Sequence, residues 1–275
     1  MTAKNGNQKK AGASGWDYKA TAYKLSRSIT VLALFALAWQ LLSMLAKSSF
    51  IPAPLAVSNA FCDLCANGDV EGYSLLGHTV NSLIRIFAGF LLGCVTAIPL
   101  GLLMGLYPPS YTTTKVFIEP IRFIPPIAWI PLSIVLLSGF SRYTFLIWLG
   151  AFFPIWVNTM AAVPKVNPVF INVAKVYGAT RWEIIRKVIW PSVLPDIISG
   201  MRVGLGVAWM CIVAAEMIGG EGTGVGRLIL KYAELLKLPE VVVGMLIIGV
   251  VGYIMNEALL RLEKHLFAWR TEISM

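Results

Sequence analysis

The chain reads as an all-α, polytopic membrane protein with six transmembrane helices, a class predicted by three observations. Hydrophobic residues fill 57% of its 275 positions, against roughly 45–50% in soluble domains. The excess is gathered into runs of about 20 residues, the length at which an apolar helix crosses a bilayer. Lys and Arg crowd into alternate connecting segments, as membrane insertion requires.

Residues 1–27 are polar, carry Lys9, Lys10, Lys19, Lys24 and Arg27, and show no apolar periodicity, so a cytoplasmic segment with a disordered start is expected. Ser28 to Ala46 is the first apolar run. It is long for the core of a signal peptide and no small-residue cleavage site follows, so it reads as a retained span. Residues 47–82 form a mixed loop with Pro52, Pro54, a lone Cys62-Asp-Leu-Cys65 pair and a lone His78, for which a cap or loop role is expected. Zinc would need four ligands, and no second pair completes a site. Leu83 to Leu106 is the second span; its pairs Gly89/Gly93 and Gly101/Gly105 predict close helix packing. The third, Val116 to Leu137, holds Pro120, Pro125, Pro126 and Pro131. Each interior proline removes a backbone bond, and a broken helix survives at membrane depth where it is buried in protein or lines a cavity. Tyr143 to Val163 is the fourth span, with Asn158 inside it. Ile197 to Ile218 is the fifth and contains Arg202, Trp209 and Glu216. The Gly-rich stretch 219–226 reads as a flexible turn, since no strand precedes it and no Lys-Ser/Thr follows. Val241 to Leu262 is the sixth span.

The polar island between the fourth and fifth spans, 164–196, reads as a helical hairpin. Asn167 is a good N-cap with Pro168 at the first helical position. Gly178 stops that helix, because glycine takes the left-handed conformation cheaply. Thr180 and Glu183 make a capping box that starts a second helix, which Pro191 and Pro195 are expected to end. Trp182, Ile185 and Ile189 share one face while Arg181, Arg186 and Lys187 sit elsewhere. Such a hairpin either lies on the lipid surface or plugs into a partner protein.

With the N-terminus inside, 15 of the 23 Lys and Arg fall on the cytoplasmic side and five outside; Arg85, Arg122 and Arg202 lie in or near spans. This places both termini and the hairpin in the cytoplasm. The net charge of +9 therefore speaks for anionic lipid rather than nucleic acid. No Walker A, H-E-x-x-H or G-x-S-x-G sequence occurs, so catalysis by this chain, ATP hydrolysis included, is not expected. Ionisable groups within spans are functional candidates by default. Arg122 and Arg202 can instead snorkel to headgroups, Glu119 stands one turn from Arg122 as an ion-pair partner, and Glu216 lies near the outer end of its span.

Several of these segments resemble one family. Ala174, Gly178 and Pro191, with Val188 as a close substitute, are similar to the coupling loop of ATP-binding-cassette (ABC) importer permeases; Asn172, Val173 and Trp190 depart from that pattern. Ile118 to Leu132 (IEPIRFIPPIAWIPL), Gly200 to Trp209 with Ala214 to Met217, Pro52 to Val57 and Phe267 to Glu272 resemble the nitrate, sulfonate, taurine and bicarbonate branch of that family. The resemblance implies an inner-membrane permease domain over 28–265 with a cytoplasmic tail 266–275. It implies a second copy of the chain, two cytoplasmic ATPase subunits that bind ATP and Mg, and an extracytoplasmic solute-binding protein. It implies no cofactor or metal on this chain. Coupling is then expected at Asn172, Ala174, Gly178, Ala179, Thr180, Trp182 and Pro191, and the path for a small anion at Arg122, Pro125, Pro126, Trp129, Asn158, Arg202, Trp209 and Glu216. The rival reading is an ion-coupled secondary transporter, which calls for inverted repeats; none is seen.

Overall fold

The computed structural model describes residues 18–46, 51–219 and 222–267. The stretches 1–17 and 268–275, with most of the expected N-terminal segment and most of the tail, lie outside the described residues, as do Lys47, Gly220 and Glu221. Residues up to Leu55 form one compact unit and those from Ala56 a second. In the first, α1 (Tyr18–Ala46) is a single helix whose apolar part is Ile29–Leu45. That apolar part coincides with the first expected span.

The boundary falls in the first turn of α2 (Pro54–Ala66), and the second unit holds the rest of it with α3 (Leu75–Leu106), α4 (Pro108–Phe123), α5 (Ile130–Leu136), α6 (Gly139–Ala162), α7 (Pro168–Val176), α8 (Arg181–Ile184), α9 (Trp190–Gly219), α10 (Val225–Glu234) and α11 (Leu238–Leu266). Among the described residues four helical segments are long and apolar enough to cross a membrane, and α4 with Pro126–Leu136 forms a fifth, bent by 86°. These follow the second to sixth expected spans in order; the 17 apolar residues of α1 fall short of that length, so the described residues give four to five spans rather than six.

The core is a three-helix sandwich of α3, α6 and α9. A β-carbon at Gly89, Gly93, Gly101 or Gly105 would come within 2.5–2.9 Å of Ile147, Ala151 or Thr159 on α6, or of Val163 just beyond its end. The four glycines thus form a stripe along which the two backbones approach closely. From the other side Gly200 and Gly204 meet Asn158 and Ile155 in the same way. Ile86, Ala97, Ile147, Ile155, Trp156, Ala208 and Ile212 fill what remains and are almost wholly buried.

Three boundaries differ from the sequence reading. The second span starts eight residues early, because Ser74 caps it by accepting from the Gly77 N–H; of the polar positions it gains, His78 and Ser82 are buried. The proline-rich span is two helices, not one kinked helix. Ile124 is extended (φ −73°, ψ 117°), the conformation a following proline imposes, and a 3₁₀ turn at Pro126–Trp129 redirects the chain into α5. Finally, Pro191 and Pro195 do not end the hairpin's second helix, which runs through into α9. A π turn at Ile185–Ile189 shifts the ladder so that the Trp190 N–H bonds to the Ile185 carbonyl, five residues back. Pro191 then falls in the turn where the ladder changes register, and one such turn absorbs a missing donor with a local bend.

Candidate functional site

The hairpin is assembled by caps. The Asn167 side chain accepts from the Val169 N–H to start α7. At the other end Ala179 N–H bonds to Ala174 C=O (3.0 Å) and Gly178 N–H to Lys175 C=O (2.9 Å), the paired bonds of a Schellman cap. Gly178 takes φ +77° there, with nothing within 4 Å of where a side chain would begin. Ala174 and Ala179, at the ends of the longer cap bond, are both half-buried against the inner core. Thr180 and Glu183 exchange the two bonds of the capping box, and Lys187 adds a 3.2 Å ion pair to Glu183.

The two faces of the hairpin are unlike. Ile184, Ile189, Val193 and Ile197 are buried with Ala162 and Val166 in a cluster that also takes in the C-terminal ends of α3 and α6. On the outside Val169, Asn172, Val173, Val176 and Tyr177 line a shallow apolar groove of about 310 Å³, and Trp182 is 68% exposed. Trp182 thus parts from Ile185 and Ile189, with which the sequence grouped it. Arg181 lies over the Tyr107 ring, 5.0 Å from its centre, at the junction of α3 and α4. Pro191 is exposed at the start of α9.

The candidate path residues fall into three places. Arg122, Pro126 and Asn158 line one groove of about 330 Å³ between the end of α4, α6 and α9, with Gly150, Phe153 and Val207. Pro125 lies in the break beside it, and Trp129 packs edge-on against Phe145, its ring nitrogen buried without an acceptor. Arg202 and Trp209 face the other way, into a crevice of about 50 Å³ against α11. There Arg202 lies 3.4 Å from Glu263 and Trp209 donates to the Ile248 carbonyl. Glu216 is in neither. It is 1% exposed and accepts from Ser82 (2.8 Å), Arg85 (2.8 Å) and the Gly226 N–H (3.0 Å).

Around Glu216 the structure assembles a polar network that the sequence reading did not anticipate. His78 is fully buried, 3.2 Å from Asp69 and 3.0 Å from the Gly224 backbone. Lys231 on α10 pairs with Asp69 (2.8 Å) and Glu71 (2.7 Å). Arg85 also donates to the Thr223 carbonyl and stacks on Tyr143 at 4.3 Å. The signal was present: His78, Ser82 and Arg85 stand at i, i+4 and i+7, one face of an otherwise apolar helix. The stretch 222–226 is accordingly not a slack turn. A β-carbon at Gly224 would overlap the Glu216 carboxylate, and one at Gly226 the Val213 carbonyl, so glycine is what lets this segment close over the acid. His78 thus has the loop role expected of it, tying α3 to the loop at Asp69 and to Gly224, the N-cap residue of α10.

Burial alone would raise the Asp69 carboxyl, but the Lys231 ammonium and the N–H groups of Tyr73 and Glu71 outweigh it and hold the group below its ordinary 3.8. A depressed carboxylate contributes stability that is complete above the unfolded value and is lost as pH falls through the folded one. Thermal stability is therefore expected to lack an Asp69 contribution to its pH slope down to about pH 4 and to gain one below. In Asp69→Asn that acid-limb component disappears. An unchanged acid limb in the variant would show that Asp69 is not so held.

Among the described residues no His, Cys, Asp and Glu cluster has the make-up of a metal site. Cys62 and Cys65 are exposed on α2, and Cys94 and Cys211 are buried.

Residues 97–268 match the family described as "Binding-protein-dependent transport system inner membrane component". A Methanocaldococcus jannaschii protein named as an ABC transporter permease is 38% identical over 93% of this chain and 96% of its own length. The taurine transport system permease protein of Escherichia coli is 31% identical over 91% of this chain and 94% of its own. Among solved structures, an inward-facing form of the MetNI methionine ABC transporter superposes with a TM-score of 0.62 at 21% identity, covering 70% of this chain and 95% of that one; this likeness speaks to the fold alone. A chain whose last two-thirds match the family model, and which aligns with such permeases almost from end to end, belongs to the binding-protein-dependent transport system inner membrane components and is a membrane-spanning permease subunit of an ABC importer.

Proposed function

We propose that the permease works as a homodimer, with its termini and the 164–196 hairpin in the cytoplasm. On this reading residues 28–265 form the permease domain. An ATPase subunit, carrying ATP and Mg, docks on each hairpin, and a soluble binding protein delivers the solute outside. The observation that carries the coupling role is the two-faced hairpin: its inner face is part of the transmembrane core, while Val176, Tyr177 and Trp182 are held out, each at least two-thirds exposed. Closure of the ATPases then drives a rigid lever into the core and shifts the spans between two states. Asn172, Val173 and Tyr177 offer the docking groove, and Ala174, Gly178, Ala179 and Thr180 hold its shape.

The solute is a small organic anion of the sulfonate type. The Arg122 groove, with one cation on an otherwise apolar wall beside Asn158, supports this, as does the taurine permease among the relatives. The test is uptake into vesicles holding the complete transporter, with taurine, ethanesulfonate, nitrate and bicarbonate as competitors. ATP-dependent uptake inhibited by a sulfonate is expected. Uptake that needs an ion gradient and no ATPase subunit would establish the secondary-transport alternative, and failure of all four to compete would overturn the anion assignment.

A further inference from the structure

Arg122 does not present a bare charge to its groove. Its guanidinium lies 2.9 Å from Glu119, one turn back on α4. Glu119 is in turn fixed by the Tyr111 hydroxyl, which donates to its other oxygen at 2.6 Å. Arg122, Pro126, Phe153 and Asn158 line the groove, whereas Glu119 is outside its lining. The carboxylate therefore stands behind the arginine, and the pair is reachable, each side chain a little under one-third exposed. A guanidinium carries five N–H donors in a rigid fork, so one side can hold Glu119 while another meets a ligand.

An unopposed arginine among Phe153, Val157, Val203 and Val207 would hold an anion tightly, because an apolar surround screens the attraction poorly. A path must bind its solute well enough to admit it and weakly enough to let it go. A fixed carboxylate 2.9 Å from the cation cancels most of its field without removing its donors. We propose that Glu119 is a specificity-determining residue that attenuates Arg122, turning the groove into a weak, transient site for an organic monoanion with a short apolar body. The sulfonate or carboxylate head meets the arginine, and the body lies along the valines and Phe153. This rests on the reading of the groove as part of the solute's path.

The bland account is that Glu119 and Arg122 are an ordinary i, i+3 pair that steadies α4. The two accounts separate on sign. If the pair is structural, Glu119→Gln and Arg122→Gln break the same contact and shift anion binding alike or not at all. If Glu119 attenuates, they act in opposite directions. The measurement is equilibrium binding of isotope-labelled ethanesulfonate to the permease–ATPase complex in nanodiscs without the binding protein, followed by uptake with it. Glu119→Gln keeps an amide oxygen for Tyr111. It is expected to bind ethanesulfonate about tenfold tighter than the parent, as one charge removed at contact distance implies. Its maximal uptake rate should fall several-fold while ATP hydrolysis persists, because release slows. Arg122→Gln is expected to bind none, and Arg122→Lys, which keeps the charge, to retain binding and so report an intact fold. Where the parent binds too weakly to measure, Glu119→Gln still must bind. Equal affinities in parent and Glu119→Gln, or weaker binding in the latter, would overturn the proposal. A parent that takes up no organic anion would overturn the path reading instead.

Discussion

Gly178→Val is expected to cut ATP-driven uptake at least about tenfold while leaving the permease inserted in the membrane. Position 178 sits at φ +77° with open space around its would-be side chain, so the penalty is conformational and not a clash. A β-branched residue in the left-handed region costs on the order of 1–3 kcal/mol, and the hairpin avoids it by giving up the cap. The Ala179 to Ala174 and Gly178 to Lys175 bonds then break together. The tip bearing Val173, Val176 and Tyr177 turns away from the Thr180 capping box that begins the next helix. The core below loses only the edge contacts of Ala174 and Ala179, while Ile184, Ile189 and Val193 enter it from the far side of the cap. The checks are uptake, ATPase co-purification and thermal unfolding of one preparation. Gly178→Ala, which places one methyl in the left-handed region at a cost of roughly 1–2 kcal/mol, is expected to give a partial defect. Full transport by the valine variant would remove the hairpin from the coupling path.

Glu216→Ala is expected to destabilise the protein by about 3–5 kcal/mol, the cost of breaking a buried ion pair from one side. For a protein of this size that lowers the unfolding midpoint by on the order of 10 °C. Three donors converge on Glu216 from two separate stretches of chain: Ser82 and Arg85 on α3, and the Gly226 backbone at the start of α10. Alanine removes the acceptor that all three share and leaves Arg85, whose side chain is 13% exposed, with the Thr223 carbonyl but no counter-charge. Glu216→Gln, which still offers an acceptor, should lose less. Glu216→Leu combined with Arg85→Leu should be more stable than Glu216→Ala, since removing both charges leaves neither stranded. Thermal unfolding in detergent reads all three, and a midpoint shift under about 2 °C for Glu216→Ala would refute a tight network.

Much of the architecture follows from local chemistry. Runs of about 20 apolar residues must become helices, because the bilayer offers no other partner for their backbone groups. The caps at Asn167, Gly178 and Thr180 act over four or five residues, so their spelling in the chain is their structure. The proline-rich span was visibly broken for the same reason, since a proline constrains itself and one neighbour.

What lay beyond the chain's own order is whatever depends on residues far apart meeting. Ser82 and Glu216 are 134 positions apart, and Lys231 and Asp69 are 162; neither partner marks the other. Arg122 and Arg202 look alike as charges within apolar runs, yet one opens on the α6 groove and the other on α11, and helix rotation decides that. Pro191 shows the same limit from the other side. Alone it is a stop signal, and a π turn just before it, held by packing against the inner core, carries the helix on. The sequence settled which segments are helices and where most begin. Tertiary packing settled which faces meet, and with that, which charges are neutralised by a partner and which side chains are left exposed.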